Sequence, residues 1–304
     1  MATPMRSTDF RSIVEPILSE EFDGIYDQRK DEWKPIFKKQ PGTPRQYHEE
    51  PVLFGMGQAP ALPEGMPVTY KAGGVLFIKR YIYTVYGLAF ALTKVLVEDG
   101  EHIRLGQTMS RHLAQAMIET EETVTANVLN RAFNATYVGG DNKTLVAQDH
   151  PIAGGSFSNQ LGTAAALSQT SLEQMLIQVR NAVDNNGRRI RLAPKQLIVA
   201  PSNMFTAEVL LKSVLRTGTA NNDINPLVSM KLLSGGTQVV SRLTSNIAWW
   251  VQTDAPEGLK YLNRRNIEKS MEGDFETDSV RYKSTQRYDV GWTDPRAVFG
   301  TAGA

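Results

Sequence analysis

The 304-residue chain is long enough for two ordinary domains, and its 41% hydrophobic and 21% charged residues are typical of a globular protein. Thirty-three Lys+Arg against 32 Asp+Glu give a net charge of +1, which excludes an overall positive surface that could wrap a polyanion. The absence of cysteine excludes disulfides, thiolate metal sites and a cysteine nucleophile. The longest apolar stretch, residues 81–93, is shorter than the roughly 20 residues that span a bilayer, so we expect no membrane segment.

The N-terminal segment, residues 1–50, is the least domain-like part of the chain. Its apolar residues come in pairs, such as Ile13-Val14 and Ile17-Leu18, rather than in a sustained stripe. Seven prolines between residues 35 and 67 exclude a long helix or a central strand there. These features predict an extended arm that gains its order from contact with something else, with a frayed terminus as the alternative.

A β-rich segment and a long helix follow. Residues 68–97 are dominated by β-branched and aromatic residues, which predict strands with a break at Gly73-Gly74. Both alternating sets of its second half are largely apolar, so both faces of this ribbon should be covered by the same chain or another. Residues 107–138 contain neither Gly nor Pro, show helical spacing of apolar residues and end at Gly139-Gly140. They predict one helix long enough to need a sheet or another subunit along it.

Residues 165–265 predict an α+β unit, and residues 259–304 predict strands separated by turns. The expected elements of the unit are a helix over 171–184 capped by Ser171, a buried strand over 194–200, a helix opening at 201–203, and strands near 238–241 and 247–251.

The sequence shows no catalytic or cofactor motif. P-loop, GxGxxG, GxSxG, HExxH and EF-hand patterns do not occur. Ser156 lies six residues after His150, but Asp149-His150-Pro151 is more typical of a turn in which Asp or His bonds the backbone. His102 and His112 are too far apart on a helix to share a metal ion. We therefore expect no enzymatic activity, no cofactor and no metal.

Charged residues form separate acidic and basic groups. The basic group surrounds residues 180–195 and the acidic group lies at 268–278. Separate patches on a neutral chain favour matching between subunits over nucleic-acid binding. With the aromatic residues of the ribbon, they give the candidate inter-subunit contacts Tyr81, Tyr83, Tyr86, Phe90, Arg188, Arg189, Arg191, Glu272, Asp274 and Glu276.

Six segments, taken in order, resemble those of one protein family. They are the start and exit of the long helix (DGE at 99–101, GGD at 139–141), DHPIAGGSFSNQLGTA (149–164), RLAPKQLIVAPSNMFTAEVLLKS (191–213), NPL (225–227), AWWVQTDAP (248–256) and RYDVGWTDPRAVF (287–299). Over nearly its full length the chain resembles the major capsid (major head) proteins of tailed bacteriophages. The resemblance is greatest to the Mu-like major head subunit branch.

The resemblance implies an α+β Hong Kong 97-like capsid fold. Its parts would be an N-terminal arm (1–45), an extended loop with a β-ribbon (46–98), a peripheral domain with a long spine helix (99–164), an axial domain (165–265) and C-terminal strands that return to the peripheral domain (266–304).

The same resemblance implies a structural protein of the virion, assembled in the host cytoplasm. Copies would form hexamers and pentamers of an icosahedral head around double-stranded DNA, which they would contact non-specifically. Scaffolding, portal and decoration proteins are further candidate partners. The alternatives are an encapsulin-like bacterial compartment shell, which shares the fold, and an α+β hydrolase, which would need His150.

Overall fold

The computed structural model describes residues 7–93, 102–215, 223–274 and 279–304. The helices are α1 (Ser7–Asp27), α2 (His102–Asn130), α3 (Gln169–Arg180), α4 (Met204–Lys212) and α5 (Pro226–Ser229). The strands are β1 (Lys38–Pro41), β2 (Tyr47–Phe54), β3 (Gly74–Ile82), β4 (Thr84–Leu92), β5 (His150–Ile152), β6 (Gly155–Phe157), β7 (Pro194–Val199), β8 (Thr237–Val239), β9 (Trp249–Thr253), β10 (Leu259–Asp274), β11 (Ser279–Trp292) and β12 (Val298–Thr301). This mixture confirms the predicted α+β class.

The first sheet has the strand order β1-β10-β11-β4. The long strands β10 and β11 pair antiparallel, β4 adds antiparallel to β11, and β1 adds parallel to β10. Four aromatic side chains stack in a row across these strands, with ring centroids 4.4–4.9 Å apart: Trp33, Tyr261, Tyr288 and Tyr86. Such cross-strand aromatic contacts fix the register of the sheet.

The second sheet has the order β12-β9-β7-β8 and carries α3 and α4. Its buried strand β7 begins at the predicted residue 194 and ends one residue before the predicted limit of 200. The prediction is this close because a short apolar run between turn residues is a strong strand signal. The last strand, β12, pairs with β9, so the C-terminal segment completes this sheet. The predicted boundary of the axial domain at residue 265 falls inside β10, and β10 belongs to the first sheet.

Residues 7–27 form a helix, so the expectation of an extended arm is wrong there. Val14, Leu18 and Phe22, spaced four residues apart, are buried in one cluster with Leu113 and Met117 of α2. The apolar pairs in the sequence thus belong to an apolar stripe along one side of a helix. Pro16 lies inside α1 on its exposed side. The arm therefore gains its order from its own chain.

The long helix exists, but its bounds differ from the predicted 107–138. It includes Gly106, which lies close to Leu18 and leaves room for α1 to pack. It ends at Asn130, whose side chain donates to the Arg242 carbonyl (3.0 Å) and accepts from the Thr244 N–H (2.9 Å). These bonds tie the helix end to the segment before β9. At about 1.5 Å per residue, its 29 residues span roughly 44 Å.

The helix predicted over 171–184 begins two residues earlier and ends four residues earlier, as α3. Ser168 is its N-cap, and Ser171 is the third helical residue, which closes a capping box with Ser168. Ser171 thus contributes to the cap from inside the helix.

Candidate assembly surfaces

The most exposed part of the described chain is the segment 55–73, called here the extended loop. It joins the antiparallel strands β2 and β3, and every one of its residues is exposed. Its large apolar side chains are Met56, Leu62, Met66, Val68 and Tyr70, and Tyr70 is 97% exposed. A group of exposed apolar side chains on one segment makes the extended loop a candidate contact surface.

An ion cluster around the buried Lys260 holds the base of the extended loop. Lys260 of β10, whose side chain is 1% exposed, pairs with Glu50 of β2 and with Glu257. The Glu50 carboxylate also accepts from the Thr293 hydroxyl and lies 3.0 Å from His48 Nε2. Burial opposes ionisation of Glu50, but hydrogen bonds from Lys260 and Thr293 lower its pKa below the usual value. The ionised carboxylate therefore fixes β2 on the first sheet.

A turn of the α+β unit provides a second attachment. Asn185 donates through Nδ2 to the Leu53 carbonyl (2.8 Å), and Asn186 donates to the Gly55 carbonyl (3.0 Å). On the β3 side, Gly140 lies so close to Phe77 and Ile78 that a Cβ there would be within 3 Å of both. The base of the extended loop is thus held by its own subunit, whereas residues 55–73 extend beyond it.

The four predicted aromatic contacts lie on β3 and β4 or between them. Tyr81 and Tyr83 are buried inside the subunit: the Tyr81 hydroxyl lies 2.6 Å from Thr293 Oγ1, and the Tyr83 hydroxyl accepts from the Thr43 N–H (2.9 Å). Tyr86 and Phe90 are half-buried against Tyr288 and Tyr282 of β11. All four side chains pack within their own subunit, and their contact with a neighbouring subunit stays a prediction.

The same strands expose aliphatic side chains that the sequence analysis did not single out. Each is more than half exposed: Val75, Ile78, Ile82, Val85 and Leu88. The single subunit therefore leaves part of the ribbon uncovered, and its cover by a neighbouring chain stays a prediction. The sequence does contain a signal for these exposed apolar side chains, because both alternating sets of residues are apolar. A strand that is covered on one face needs only one apolar set.

The predicted charged contacts lie apart in the subunit. Arg188 pairs with Asp184 of its own turn (2.7 Å), and Arg189 and Arg191 are exposed. Glu272 is exposed on β10, opposite Arg281 of β11. The side chain of Asp274 and all of Glu276 lie outside the described residues. Pairing between the basic and acidic groups of different subunits stays a prediction.

A further apolar surface surrounds α4. Phe205 is 72% exposed and Val209 is 49% exposed, while Ala207 and Leu210 of the same helix are buried. Sequence reasoning missed this surface, although apolar residues on two sides of one short helix indicate more than one buried face. Beside α5 lies a cavity of about 390 Å³, lined mainly by apolar residues such as Leu176, Leu227 and Met230.

His150 does not form a hydrolase site with Ser156. Its ring is buried between Asp141 and Asn159, whereas Ser156 is exposed on β6. His150 begins β5, so the expected turn at Asp149-His150-Pro151 is wrong. Among the residues described, no group of three or more His, Asp or Glu side chains could hold a metal ion, and no helix is long and apolar enough to cross a membrane.

Comparison with known proteins identifies the family. The family model for the phage capsid protein matches residues 82–300, more than two thirds of the chain. The chain belongs to this family. No curated protein matches the sequence.

Solved structures share the fold of this phage capsid protein at low sequence identity. The capsid of Cyanophage P-SCSP1u is 12% identical with a TM-score of 0.55, and the match covers 88% of this chain and 86% of that chain. The procapsid of bacteriophage JBD30 is 15% identical with a TM-score of 0.51, covering 99% and 76%. A virus-like particle from Pyrococcus furiosus is 11% identical with a TM-score of 0.51, covering 94% and 98%.

The chain is thus a structural major capsid protein with the Hong Kong 97 fold and a component of the virion capsid. The likeness to the Pyrococcus furiosus particle shows the shared fold alone, so the family match favours a phage capsid over a compartment shell. Membership of the Mu-like branch stays a prediction.

Proposed function

We propose that copies of this capsid protein form hexamers and pentamers, and that these close into an icosahedral head around double-stranded DNA. The observation that supports this most directly is the extended loop. Its base is fixed on its own subunit, while the large apolar side chains of residues 55–73 have no cover. A contact that one copy makes and its neighbour receives is repeated around a closed ring.

Burial of the extended loop on a neighbour would stabilise the shell. Each large apolar side chain that becomes fully buried contributes about 1.5–3 kcal/mol. Ordering of the loop offsets part of this gain. The exposed side chains of Val75 and Ile78 follow the loop on β3 and extend its apolar surface.

Charge supports the same proposal. A net charge of +1 limits repulsion among many identical copies. Contacts with DNA would then be non-specific, made by individual Lys and Arg side chains with phosphates. Contacts with scaffolding, portal or decoration proteins, and assembly in the host cytoplasm, stay predictions.

A double substitution in the extended loop tests the proposal. We expect Leu62→Asp with Tyr70→Asp to leave a folded subunit, because both residues are exposed, but to prevent formation of closed shells. The matched control is Gln58→Asp with Thr69→Asp, which adds the same charge at polar exposed positions of the same loop.

Sedimentation velocity and negative-stain electron microscopy measure the outcome, and circular dichroism monitors the fold. The control should assemble like the unmodified chain. Closed shells of normal diameter and yield from the chain substituted at Leu62 and Tyr70 would show that the loop surface is not needed for assembly. Failure of the unmodified chain to form closed particles in producing cells would contradict the proposal as a whole.

A further inference from the structure

Two of the five large apolar side chains on the extended loop are methionines. Met56 is 67% exposed and Met66 is 61% exposed. Methionine has an unbranched, flexible side chain with a polarisable sulfur, so it adapts easily to an irregular apolar surface. Its thioether is also the part of such a surface that oxidants attack. The loop therefore combines a contact surface with two reactive sulfur atoms in contact with solvent.

The other methionines of the described chain differ widely in exposure. Three are buried and at most 3% exposed: Met117, Met175 and Met271. Met109 of α2 is 44% exposed, Met204 begins α4 and is 37% exposed, and Met230 follows α5 and is 64% exposed. The two loop methionines are thus as open to solvent as any sulfur described, and they are distinguished by their place among the apolar side chains of the extended loop.

The absence of cysteine simplifies the oxidation chemistry of the chain. Peroxide forms no sulfenic acid and no disulfide on it, so the thioethers are the sulfur atoms open to attack. In that reaction the sulfur lone pair attacks one oxygen of hydrogen peroxide and the O–O bond breaks. The other oxygen leaves with both hydrogens as water. The sulfur loses two electrons and becomes a sulfoxide, while the peroxide is reduced.

A sulfoxide on the extended loop opposes burial of that loop. Its oxygen is a hydrogen-bond acceptor, so placing it against an apolar surface is costly unless a donor meets it. Each sulfoxide should therefore weaken the contact of the loop with a neighbouring copy by about tenfold or more. A closed ring repeats the contact at every subunit, so the effect is repeated as well.

We infer that Met56 and Met66 are oxidation sites through which hydrogen peroxide controls whether a free subunit joins the shell. This inference rests on the proposed function, because it needs the loop surface to be buried on a neighbouring copy. Free subunits are open to the oxidant, whereas a closed shell protects the same two sulfur atoms. The modification is reversible, since methionine sulfoxide reductases restore the thioether.

Partial oxidation of free subunits tests the inference without any substitution. Subunits are treated with enough hydrogen peroxide to oxidise part of each exposed methionine, the peroxide is removed, and assembly is started. Sedimentation separates shells from unassembled chains, and peptide mass spectrometry measures the sulfoxide fraction at each methionine in both. We expect sulfoxide at Met56 and Met66 to be lower in the shells by about tenfold or more. Met109 is the internal control and should show equal fractions.

A sulfur-free loop provides the matching variant. Met56→Leu with Met66→Leu keeps the volume and the apolar character of both side chains. After peroxide treatment this variant should still form shells, whereas the unmodified chain and the control Met109→Leu should not. Methionine sulfoxide reductases with a thiol reductant should restore assembly of the oxidised unmodified chain. The thiol has no disulfide to reduce in this chain.

Untreated samples separate this inference from the proposed function. Failure of the untreated, unmodified chain to form shells would contradict the proposed function, and the inference would fall with it. Normal assembly of untreated chains, combined with equal sulfoxide fractions at Met56 and Met66 in shells and in unassembled chains, would overturn the inference alone. Loss of assembly in the peroxide-treated leucine variant would overturn it too. The sorting measurement uses the unmodified chain, so it decides independently of how the leucine variant assembles.

Discussion

At the residue scale, the buried Glu122 and the half-buried Asp289 titrate close to neutral pH. Glu122 of α2 accepts from the Glu32 N–H (2.8 Å), and burial, with the nearby charges of Glu32 and Asp31, raises its pKa to about 7. Burial likewise raises the pKa of Asp289 to about 6, although Oδ2 accepts from the Ile82 N–H (2.9 Å). Between the unfolded pKa of about 4 and these raised values the folded subunit keeps protons that the unfolded chain has lost, so stability falls as the pH rises through this range and levels off above it.

Replacement of Glu122 tests this effect. An unfolded chain ionises glutamate near pH 4.3, whereas the folded chain resists ionisation until about pH 7. Glu122→Gln should therefore stabilise the subunit at pH 8 by on the order of 1–2 kcal/mol, and the gain should vanish near pH 4. Urea unfolding at the two pH values measures it. Glu119→Gln is the control and should destabilise the subunit at pH 8, because the hydrogen bond from Arg242 lowers the pKa of Glu119. Equal stability of Glu122→Gln and the unmodified chain at pH 8 would contradict the argument.

A second residue-scale prediction concerns the base of the extended loop. Glu50→Gln removes one counter-charge from the buried Lys260, so we expect a loss of about 1–3 kcal/mol in the free energy of unfolding. Limited proteolysis should also cut the segment 55–73 faster. The control is Glu49→Gln on the same strand. The ion pair of Glu49 with Arg80 is partly exposed, so its loss should lower the free energy of unfolding by less than about 1 kcal/mol. Unchanged cleavage in Glu50→Gln would show that the cluster does not hold the loop.

At the element scale, the packing of α1 on α2 makes the N-terminal helix part of the folded subunit. Leu18 is 1% exposed, and the Ser110 hydroxyl donates to its carbonyl at 2.6 Å. Leu18→Ala should lower the free energy of unfolding by about 2–5 kcal/mol, as for other buried leucines. Glu20→Ala, on the exposed side of α1, is the control and should cost less than about 0.5 kcal/mol. A similar cost for both variants, measured by denaturant unfolding, would mean that α1 is not packed as described.

The sequence predicted those elements whose signal is local. The strand at 194–199 and the middle of α2 follow from apolar patterns within a few residues. The start and the end of α2 were harder to predict from the sequence. Gly106 is accommodated in the helix because it lies against Leu18, and the helix ends at Asn130, whose side chain bonds residues 242–244. Such distant partners are absent from any local pattern.

The same limit applies to the candidate site. Residue types predict that the β-rich segment contacts other subunits, but they do not show which side of each strand its own chain covers. Tyr83 is buried in a cluster with the distant Leu262 of β10, whereas Ile82 and Val85 on either side are left exposed. That distinction is made by the pairing of β3 with β2 and of β4 with β11.

At the scale of the whole molecule, two groups of apolar side chains among the described residues stay uncovered in the single subunit. One is on the extended loop and the start of β3, and the other is on and around α4. The extended loop places five large exposed apolar side chains within 19 residues, which separates it from the ordinary apolar surface of a soluble protein. Two separate surfaces are what a subunit needs to contact neighbours on more than one side.

The parallel pairing of β1 with β10 also sets an order of events during translation. Lys38 meets Lys260, about 220 residues later in the chain, and Trp33 has no Tyr261 to stack on before then. At about 5–20 residues per second, the ribosome needs on the order of 10–40 s to supply these partners. The helix α1 finds α2 much earlier. A nascent subunit therefore carries β1 unpaired through most of its synthesis and completes its first sheet only after β10 has left the ribosome.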